Sequence, residues 1–308
     1  IKNTMLKVLL DKQDYSMGGK INPTTVAFYI VPLINAMIRV GSMEEKYRLY
    51  RSFIEPNVMV DCHKRGAKGT MERLCIESAR ECTNAKAHQD KMKEKIVQEL
   101  EVKIFKQDLL ENQILFVRLE DDDDFPAELN GLCAMVLSAK YHKPTILARR
   151  NFEGFDRGSI RAPSNTAMGS FKDYLSNTGL FEYVMGHDSA AGCSIADKNL
   201  SKLHEIANRD LSQIDFGENI YDVNFIRKAT DKDIEAIILD VAPYEQVFGQ
   251  QNPEAMIAIT NLIVSPNEIK IIGKNKDTLR IEKNGITYIK FRAKDLIEEL
   301  KDFSNEME

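Results

Sequence analysis

Hydrophobic and polar positions change their spacing twice along the chain. In residues 1–112 the apolar positions recur at helical spacing, from Met5–Leu10 through a second run that Pro32 opens. Met71–Phe105 is rich in Lys, Glu, Ala and Leu and contains neither glycine nor proline. This first stretch is therefore predicted to be helical, ending in one long amphipathic connecting helix.

Residues 113–213 alternate strand-like and helix-like segments. The predicted strands are Ile114–Val117, Pro144–Ala148 and Ser159–Arg161, and the predicted helices are Ala127–Lys140, Phe171–Ser176 and Lys198–Arg209. This order, with short connections, is typical of a compact α/β domain.

Residues 214–308 carry short alternating apolar runs with turn signals between them. The runs are Ala255–Val264, Ile269–Gly273, Thr278–Glu282 and Ile286–Phe291. Asn284-Gly285 is a strong hairpin signal. We predict a small β-barrel here, closed by a helix over Ala293–Met307. The fold class is thus α/β (α+β), with domains at 1–112, 113–213 and 214–308.

Composition narrows the class of protein. The chain has 308 residues, 43% of them hydrophobic, so a sizeable core is expected. A net charge of −5 argues against a protein wrapped wholesale in nucleic acid but permits a local basic groove. The five cysteines form no C-x-x-C pair, which predicts reduced thiols in a cytoplasmic protein and neither a disulfide framework nor a zinc site.

No membrane segment or signal peptide is expected. The longest apolar stretch, Val26–Ile38, contains Pro32 and is judged too short to cross a bilayer. Because the chain opens with Ile1, we expect it to be processed or to be a piece of a longer protein.

Two glycine-containing stretches are the leading candidates for ligand binding. In Arg157–Arg161, Gly158 permits close backbone approach, and Ser159 and Arg161 would face the same side of a strand. In Gly186–Gly192, an imidazole sits between glycine-bearing turns. Arginine, serine and histidine donors together indicate a phosphodiester site. The competing interpretation is a surface strand with solvated arginines and a structural histidine.

Weaker candidates lie elsewhere. Arg39 lies two residues before Gly41, which would cap the end of its helix, and it could point towards a groove that follows a nucleic-acid backbone. Phe248 and Tyr288 would stack on bases from the barrel, unless they are core aromatics. Asp61-Cys62-His63 is interpreted as a loop rather than a metal site, because lysine and arginine follow at once. The acidic run Glu120–Asp124 is interpreted as a solvated loop, and its Asp121–Asp124 part as an unsuitable cation site because it would be flexible.

Five stretches, in chain order, resemble motifs of the RecJ family of single-strand-specific exonucleases, which are DHH phosphoesterases. They are Phe28–Gly41, Gly131–Thr145, Gly158–Arg161, Gly186–Gly192 and Phe248–Pro253. Four positions depart from the family pattern: Leu33 replaces arginine, Ala162 replaces serine, Met185 replaces glycine and Val247 replaces proline. The chain is thus similar to a divergent member of the family.

The resemblance implies a C-terminal portion, with a DHH-associated domain and an OB-like barrel. The family's catalytic domain, with an Asp-His-His triplet that binds two Mn²⁺ or Mg²⁺ ions, lies N-terminal to this region. This chain contains no Asp-His-His. We therefore expect no catalytic residue and no metal ligand here, and almost no activity from the chain alone. Ser159, Arg161, Gly158, Gly186, His187 and Arg39 would bind phosphates, with Arg157, Phe248 and Tyr288 as further nucleic-acid contacts.

The implied function is substrate binding within a 5′-to-3′ single-stranded-DNA exonuclease of DNA repair and recombination. The implied partners are single-stranded DNA and a helicase or single-strand-binding protein. Two alternatives stay open. One is a non-catalytic single-strand-binding or scaffold protein derived from the same fold, and the other is a phosphodiesterase for small nucleotides, which has no need of a barrel.

Overall fold

The chain folds into two compact units, residues 1–221 and 222–308. The computed structural model describes residues 1–67, 69–120, 125–249, 252–273, 275–291, 293, 294 and 296–300. The predicted boundaries at 112 and 213 stay predictions, because the first falls inside one compact unit and the second lies eight residues from the observed division.

The first unit begins with a helical layer. Its helices are α1 (Thr4–Met17), α2 (Pro23–Thr25), α3 (Val31–Val40), α4 (Met43–Ile54) and α5 (Leu74–Lys106), with a π-helical turn at Val26–Ile30. Local sequence sets their ends. Asn3 caps α1, Gly18 ends it in the left-handed region, and Ser42 and Glu45 form a capping box at α4. Strands β1 (Met59–Asp61) and β2 (Met71–Arg73) form an antiparallel hairpin before α5.

The long connecting helix is confirmed as α5, which has 33 residues and is therefore about 50 Å long. Its first half contributes Cys75, Ala79 and Cys82 to a core with α1, α3 and α4. Its second half contributes Leu100 and Ile104 to a second core against the sheet. One continuous helix thus belongs to both cores and fixes the helical layer to the α/β part.

A continuous helical run, Pro23–Val40, is long and apolar enough to cross a membrane by length and composition. The expectation that this stretch is too short is therefore wrong, because α2, the π-helical turn and α3 join without a break. Core helices of globular proteins pass the same test. Ile30, Leu33 and Met37 of this run are buried against α1 and α5.

The α/β part is built on one five-stranded sheet in the order β3-β4-β5-β7-β6. The strands are β3 (Leu115–Leu119), β4 (Thr145–Arg150), β5 (Phe155–Arg161), β6 (Phe181–His187) and β7 (Ala190–Ala196). Only β3 and β4 pair in parallel, and every other pair is antiparallel. The helices of this part are α6 (Asn130–Tyr141), α7 (Phe171–Asn177) and α8 (Leu200–Asp210). The predicted α/β class is confirmed.

The two faces of this sheet are covered differently, because side chains alternate between the faces along each strand. On one face Ile146, Ile160 and Cys193 pack with α7 and α8. On the other face Val117 and Leu147 pack with α5 and α6. The side chains that β6 directs to this second face are exposed, so the helices cover the sheet's β3–β4 side and leave its β6 side open.

The second unit contains two small sheets. Strands β8 (Phe225–Lys228) and β9 (Ile257–Thr260) pair in parallel, and β10 (Ile269–Ile272), β11 (Thr278–Lys283) and β12 (Ile286–Lys290) form an antiparallel meander. Helix α9 (Ile234–Val241) lies between β8 and β9 in the chain. Within the described residues these strands form open sheets, so the closed OB-like barrel stays a prediction. Of the predicted closing helix, residues 295 and 301–307 lie outside the described part of the chain.

Candidate phosphate-binding site

Strand β5 directs three polar side chains to the open face of the sheet. Ser159 and Arg161 share this face, as their spacing predicts, while Ile160 between them is buried on the other side. Arg157 projects the same way, is half exposed and forms an ion pair of 3.6 Å with Glu153. The spacing of residues in the sequence therefore predicted correctly that Ser159 and Arg161 share one face.

Arg39, at the end of α3, brings a second guanidinium to Arg161. Burial and the nearby positive charge of Arg39 both lower the pKa of Arg161. The Arg161 Nη1 donates to the carbonyl of Ile160 at 2.6 Å. Among the described residues neither arginine forms a salt bridge with a carboxylate. A partly buried guanidinium that feels a second positive charge and has no salt-bridge partner favours a bound anion.

Gly131, in the first turn of α6, makes room for this arrangement. A Cβ at Gly131 would lie 2.5 Å from Arg161 Nη2 and 3.6 Å from Ser159 Oγ. Any side chain there would displace the guanidinium, so Arg161 is seated against a bare stretch of helix backbone. Sequence reasoning did not place Gly131 in the site, although the alternation of helix and strand put it in the adjoining helix.

Gly158 and Gly186 support the backbone rather than line the open face. A Cβ at Gly158 would lie 2.2 Å from the carbonyl oxygen of Leu147, so glycine lets β4 and β5 approach closely. Gly186 has φ +146°, and a Cβ there would lie 2.6 Å from the carbonyl oxygen of Ala190. Both glycines are therefore required by the packing of the strands that carry Ser159 and His187.

His187 ends β6, and its turn is tied down on both sides. The Lys172 N–H donates to the carbonyl of Asp188 at 3.0 Å, and Ser170 Oγ donates to Asp188 Oδ1 at 3.0 Å. The Ala162 N–H donates to the carbonyl of Ser189 at 2.9 Å. His187 is exposed, and it lies in register with Ala190 and, across β7, with Arg161. The structure thus places His187 and Arg161 two strands apart on the same face.

Phe248 and Tyr288 lie in the second unit. Phe248 is partly buried and lines a cavity of about 360 Å³ with Phe225, Val241 and Tyr244. Tyr288 of β12 is partly buried and pairs in register with Ile281. Both aromatics have the surroundings of packed residues, and their role as nucleic-acid contacts stays a prediction.

A cluster of acidic residues lies near the β1–β2 hairpin, where the sequence indicated only a loop. His63 Nδ1 lies 3.1 Å from Glu77 Oε1, and the metal-capable groups of the described chain are His63 with Glu77 and Glu81, and Cys62 with Glu72 and Glu77. Arg80 pairs with Glu72 and Glu77, and Arg48 pairs with Glu81.

This cluster does not fit a pair of Mn²⁺ or Mg²⁺ ions. These ions prefer oxygen ligands from carboxylates that are free to coordinate them. Here guanidiniums already occupy the carboxylates, and the remaining donors are a thiol and an imidazole. We therefore derive no chemistry through a metal from the described residues.

Proteins of similar sequence carry the name of a nuclease. No protein-family model matches the chain. A SPbeta prophage-derived protein of Bacillus subtilis strain 168, YorK, is 36% identical over 298 residues and is named a putative single-strand DNA-specific exonuclease. The yorK protein of Bacillus phage SPbeta matches at the same 36% identity. These matches span 95% of this chain but 51% of each relative, so the chain spans about half the length of the curated relatives it matches.

Solved structures share the fold. RecJ of Thermus thermophilus in complex with Mn²⁺ superposes with a TM-score of 0.58 over 94% of this chain and 39% of that chain, at 17% identity. The Mg²⁺ complex of the same protein gives a TM-score of 0.56 over 94% of this chain and 41% of that chain, at 18% identity. The chain is therefore similar in sequence to proteins named putative single-strand DNA-specific exonucleases and shares its fold with RecJ, which confirms the resemblance seen in its motifs.

Proposed function

We propose that this chain is the substrate-binding portion of a RecJ-like 5′-to-3′ exonuclease for single-stranded DNA. In this proposal the open face of the five-stranded sheet binds phosphates at the 5′ end of the strand, and Arg39, Ser159, Arg161 and His187 are the donors. The phosphodiester is then presented to a pair of Mn²⁺ or Mg²⁺ ions bound by a part of the protein outside this chain. The relatives' name and the metals in the Thermus structures support this proposal.

The observation that carries the proposal is that Arg161, seated against Gly131 beside Ser159, forms no salt bridge among the described residues and feels the positive charge of Arg39. Two like charges brought together and partly buried are unfavourable unless an anion compensates them. The lowered pKa of Arg161 has this cause, since burial and Arg39 both disfavour its charge. A phosphate offers several acceptor oxygens to two planar forks of donors. The geometry therefore suits a terminal phosphate, which carries more charge than an internal one.

Fluorescence anisotropy with 5′-phosphorylated and 5′-hydroxyl oligonucleotides tests the proposal. Arg161→Ala should weaken binding of the phosphorylated strand about 10- to 100-fold, the range of a charged hydrogen-bond contact. The affinity for the 5′-hydroxyl strand should fall much less. The slope of log affinity against log salt should also fall by about 0.7 for each phosphate contact removed.

Arg150→Ala is the matched control. Arg150 lies on the neighbouring strand, pairs with Asp197 at 3.1 Å and belongs to the opposite face of the sheet. The substitution removes the same charge without touching the open face, so both strands should bind as they do to the unchanged protein. Equal losses on phosphorylated and hydroxyl strands for Arg161→Ala would show that this residue does not read the terminal phosphate.

The remaining parts of the proposal have their own tests. The chain alone should show almost no nuclease activity with Mn²⁺, and digestion of single-stranded DNA by this chain would contradict the division of roles. A cytoplasmic location agrees with five free cysteines. A helicase or single-strand-binding protein as partner would be detected by co-purification with the whole protein.

A further inference from the structure

The open face of the sheet is a trough that runs along β7. This strand lies between β5 and β6, and the side chains it directs to this face are small: Ala190 and Gly192, which are partly exposed, and Ser194, which is buried beside Glu182. A Cβ at Gly192 would meet nothing closer than backbone oxygens at 3.8 and 4.0 Å. The middle strand therefore forms a low floor between two neighbouring strands that carry larger side chains.

The walls of the trough follow from the strand register. On one wall, Arg157, Ser159 and Arg161 pair with Ser194, Gly192 and Ala190 of the floor. On the other wall, Tyr183, Met185 and His187 pair with the same three floor residues. The walls are two strand spacings apart, about 10 Å, and the exposed part of the floor, from Ala190 to Gly192, is about 7 Å long.

The two walls differ in chemistry. The β5 wall offers two guanidiniums and a hydroxyl, whereas the β6 wall offers an aromatic ring and a thioether. Tyr183 is 39% exposed and Met185 is 71% exposed. Both belong to the face opposite the core cluster, where Val184 between them packs. These side chains thus lie on the face of the trough, Met185 largely exposed and Tyr183 partly so.

The far end of the trough carries a negative charge. At the bulge in β6, the Glu182 carboxylate accepts a hydrogen bond of 2.8 Å from Ser194 Oγ. A carboxylate repels phosphate but accepts from the amino groups of bases. At this end Arg157 is paired with Glu153, whereas Arg161 at the other end forms no salt bridge among the described residues, so the Arg161 end favours phosphate and the Glu182 end favours bases.

We propose that Tyr183 and Met185 form a base-binding wall, so that a single strand lies in the trough with its phosphate on Arg161 and its first base against the β6 wall. This proposal rests on the proposed function and names the second half of its binding site. Stacking on an aromatic ring needs the face of an unpaired base. The wall would therefore select single-stranded ends over duplex ends, and it would tolerate any base.

An abasic oligonucleotide separates the wall from the phosphate site. The probes are 5′-phosphorylated oligothymidylate and the same strand with abasic residues at its first two positions. Tyr183→Ala should weaken the normal strand about 5- to 150-fold, the range for stacking of one base on an aromatic side chain, and leave the abasic strand unchanged. Met185→Ala should act in the same direction, less strongly.

Conservative variants serve as controls. Tyr183→Phe keeps the ring and Met185→Leu keeps the apolar volume, so both should bind the normal strand as the unchanged protein does. Because Met185 is largely exposed and Tyr183→Phe keeps the ring, neither conservative variant should shift the urea midpoint of unfolding. If Tyr183→Ala weakened binding of the normal and abasic strands equally, or weakened neither, the proposal of a base-binding wall would be overturned.

The two proposals fail in different ways. If the wall is wrong and the phosphate site is right, Arg161→Ala still weakens both the normal and the abasic phosphorylated strands, while Tyr183→Ala does not distinguish them. If the phosphate site is wrong, Arg161→Ala leaves the abasic strand unaffected. Absence of any binding to the unchanged protein would overturn both.

Discussion

Two glycines that flank the site should respond in opposite ways to the same substitution. Gly158 and Gly192 lie on adjacent strands, β5 and β7, one residue out of register with each other. Gly158→Ala is predicted to destabilise the first unit. Gly192→Ala is predicted to stabilise it slightly while narrowing the floor of the trough.

The magnitudes follow from the space at each position. At Gly158 a Cβ would lie 2.2 Å from the carbonyl oxygen of Leu147 and 2.5 Å from the Cα of Ala148. These separations are well below an ordinary contact of about 3.5 Å. Overpacking of this kind costs about 1–3 kcal/mol. At Gly192 the added methyl meets nothing closer than 3.8 Å. The substitution reduces the conformational entropy of the unfolded chain, so it should stabilise the folded protein by about 0.4–1 kcal/mol.

Thermal unfolding followed by circular dichroism measures both effects. For a domain of this size, about 2–4 °C of Tm corresponds to 1 kcal/mol. Gly158→Ala should therefore lower Tm by about 2–12 °C, and Gly192→Ala should raise it by about 1–4 °C. Anisotropy on the same samples should show weaker oligonucleotide binding for Gly192→Ala despite its stability. Equal Tm values for the two variants would refute the assignment of these glycines to a packed and an open position.

Three further predictions concern stability and pH. Arg118→Met removes the hydrogen bonds of 2.8 and 2.7 Å to the buried Asp156, so the free energy of unfolding measured in urea should fall by about 3 kcal/mol. An unchanged urea midpoint would contradict this pairing. Burial lowers the pKa of His204 in the folded protein, so as the pH falls the unfolded chain is protonated at a higher pH than the folded one. The free energy of unfolding should therefore fall as the pH drops below about 6.5. His204→Leu should flatten this part of the curve of Tm against pH, and a curve of unchanged slope would show that the imidazole is not responsible. Gly186→Ala should loosen the β6–β7 hairpin because of its φ of +146°, and amide hydrogen exchange that is no faster in this hairpin would argue against the strain.

Long periodic segments could be predicted well from the sequence. The Met71–Phe105 helix corresponds to α5 (Leu74–Lys106), because 33 residues without glycine or proline leave no competing structure. The buried runs around Val117 and Leu147 likewise form β3 and β4. In contrast, local composition indicates turns where β6 and β7 lie, because each strand contains a glycine and β6 is mostly exposed. These strands exist because β7 pairs on both sides, and pairing partners far apart in sequence are not visible in local composition.

The candidate site shows the same division between local and long-range information. The residue spacing predicted that Ser159 and Arg161 share a face, since that depends only on the alternation of a strand. The trough depends instead on the order β5-β7-β6, in which the later strand β7 lies between two earlier ones. If β6 paired directly with β5, Tyr183 and Met185 would stand beside the arginines, with no floor between the walls. The antiparallel β6–β7 hairpin, closed by Asp188 and Ser189, inserts β7 and opens a gap of two strand spacings. The width that suits a single strand is therefore a consequence of strand order, which no local pattern in the chain encodes.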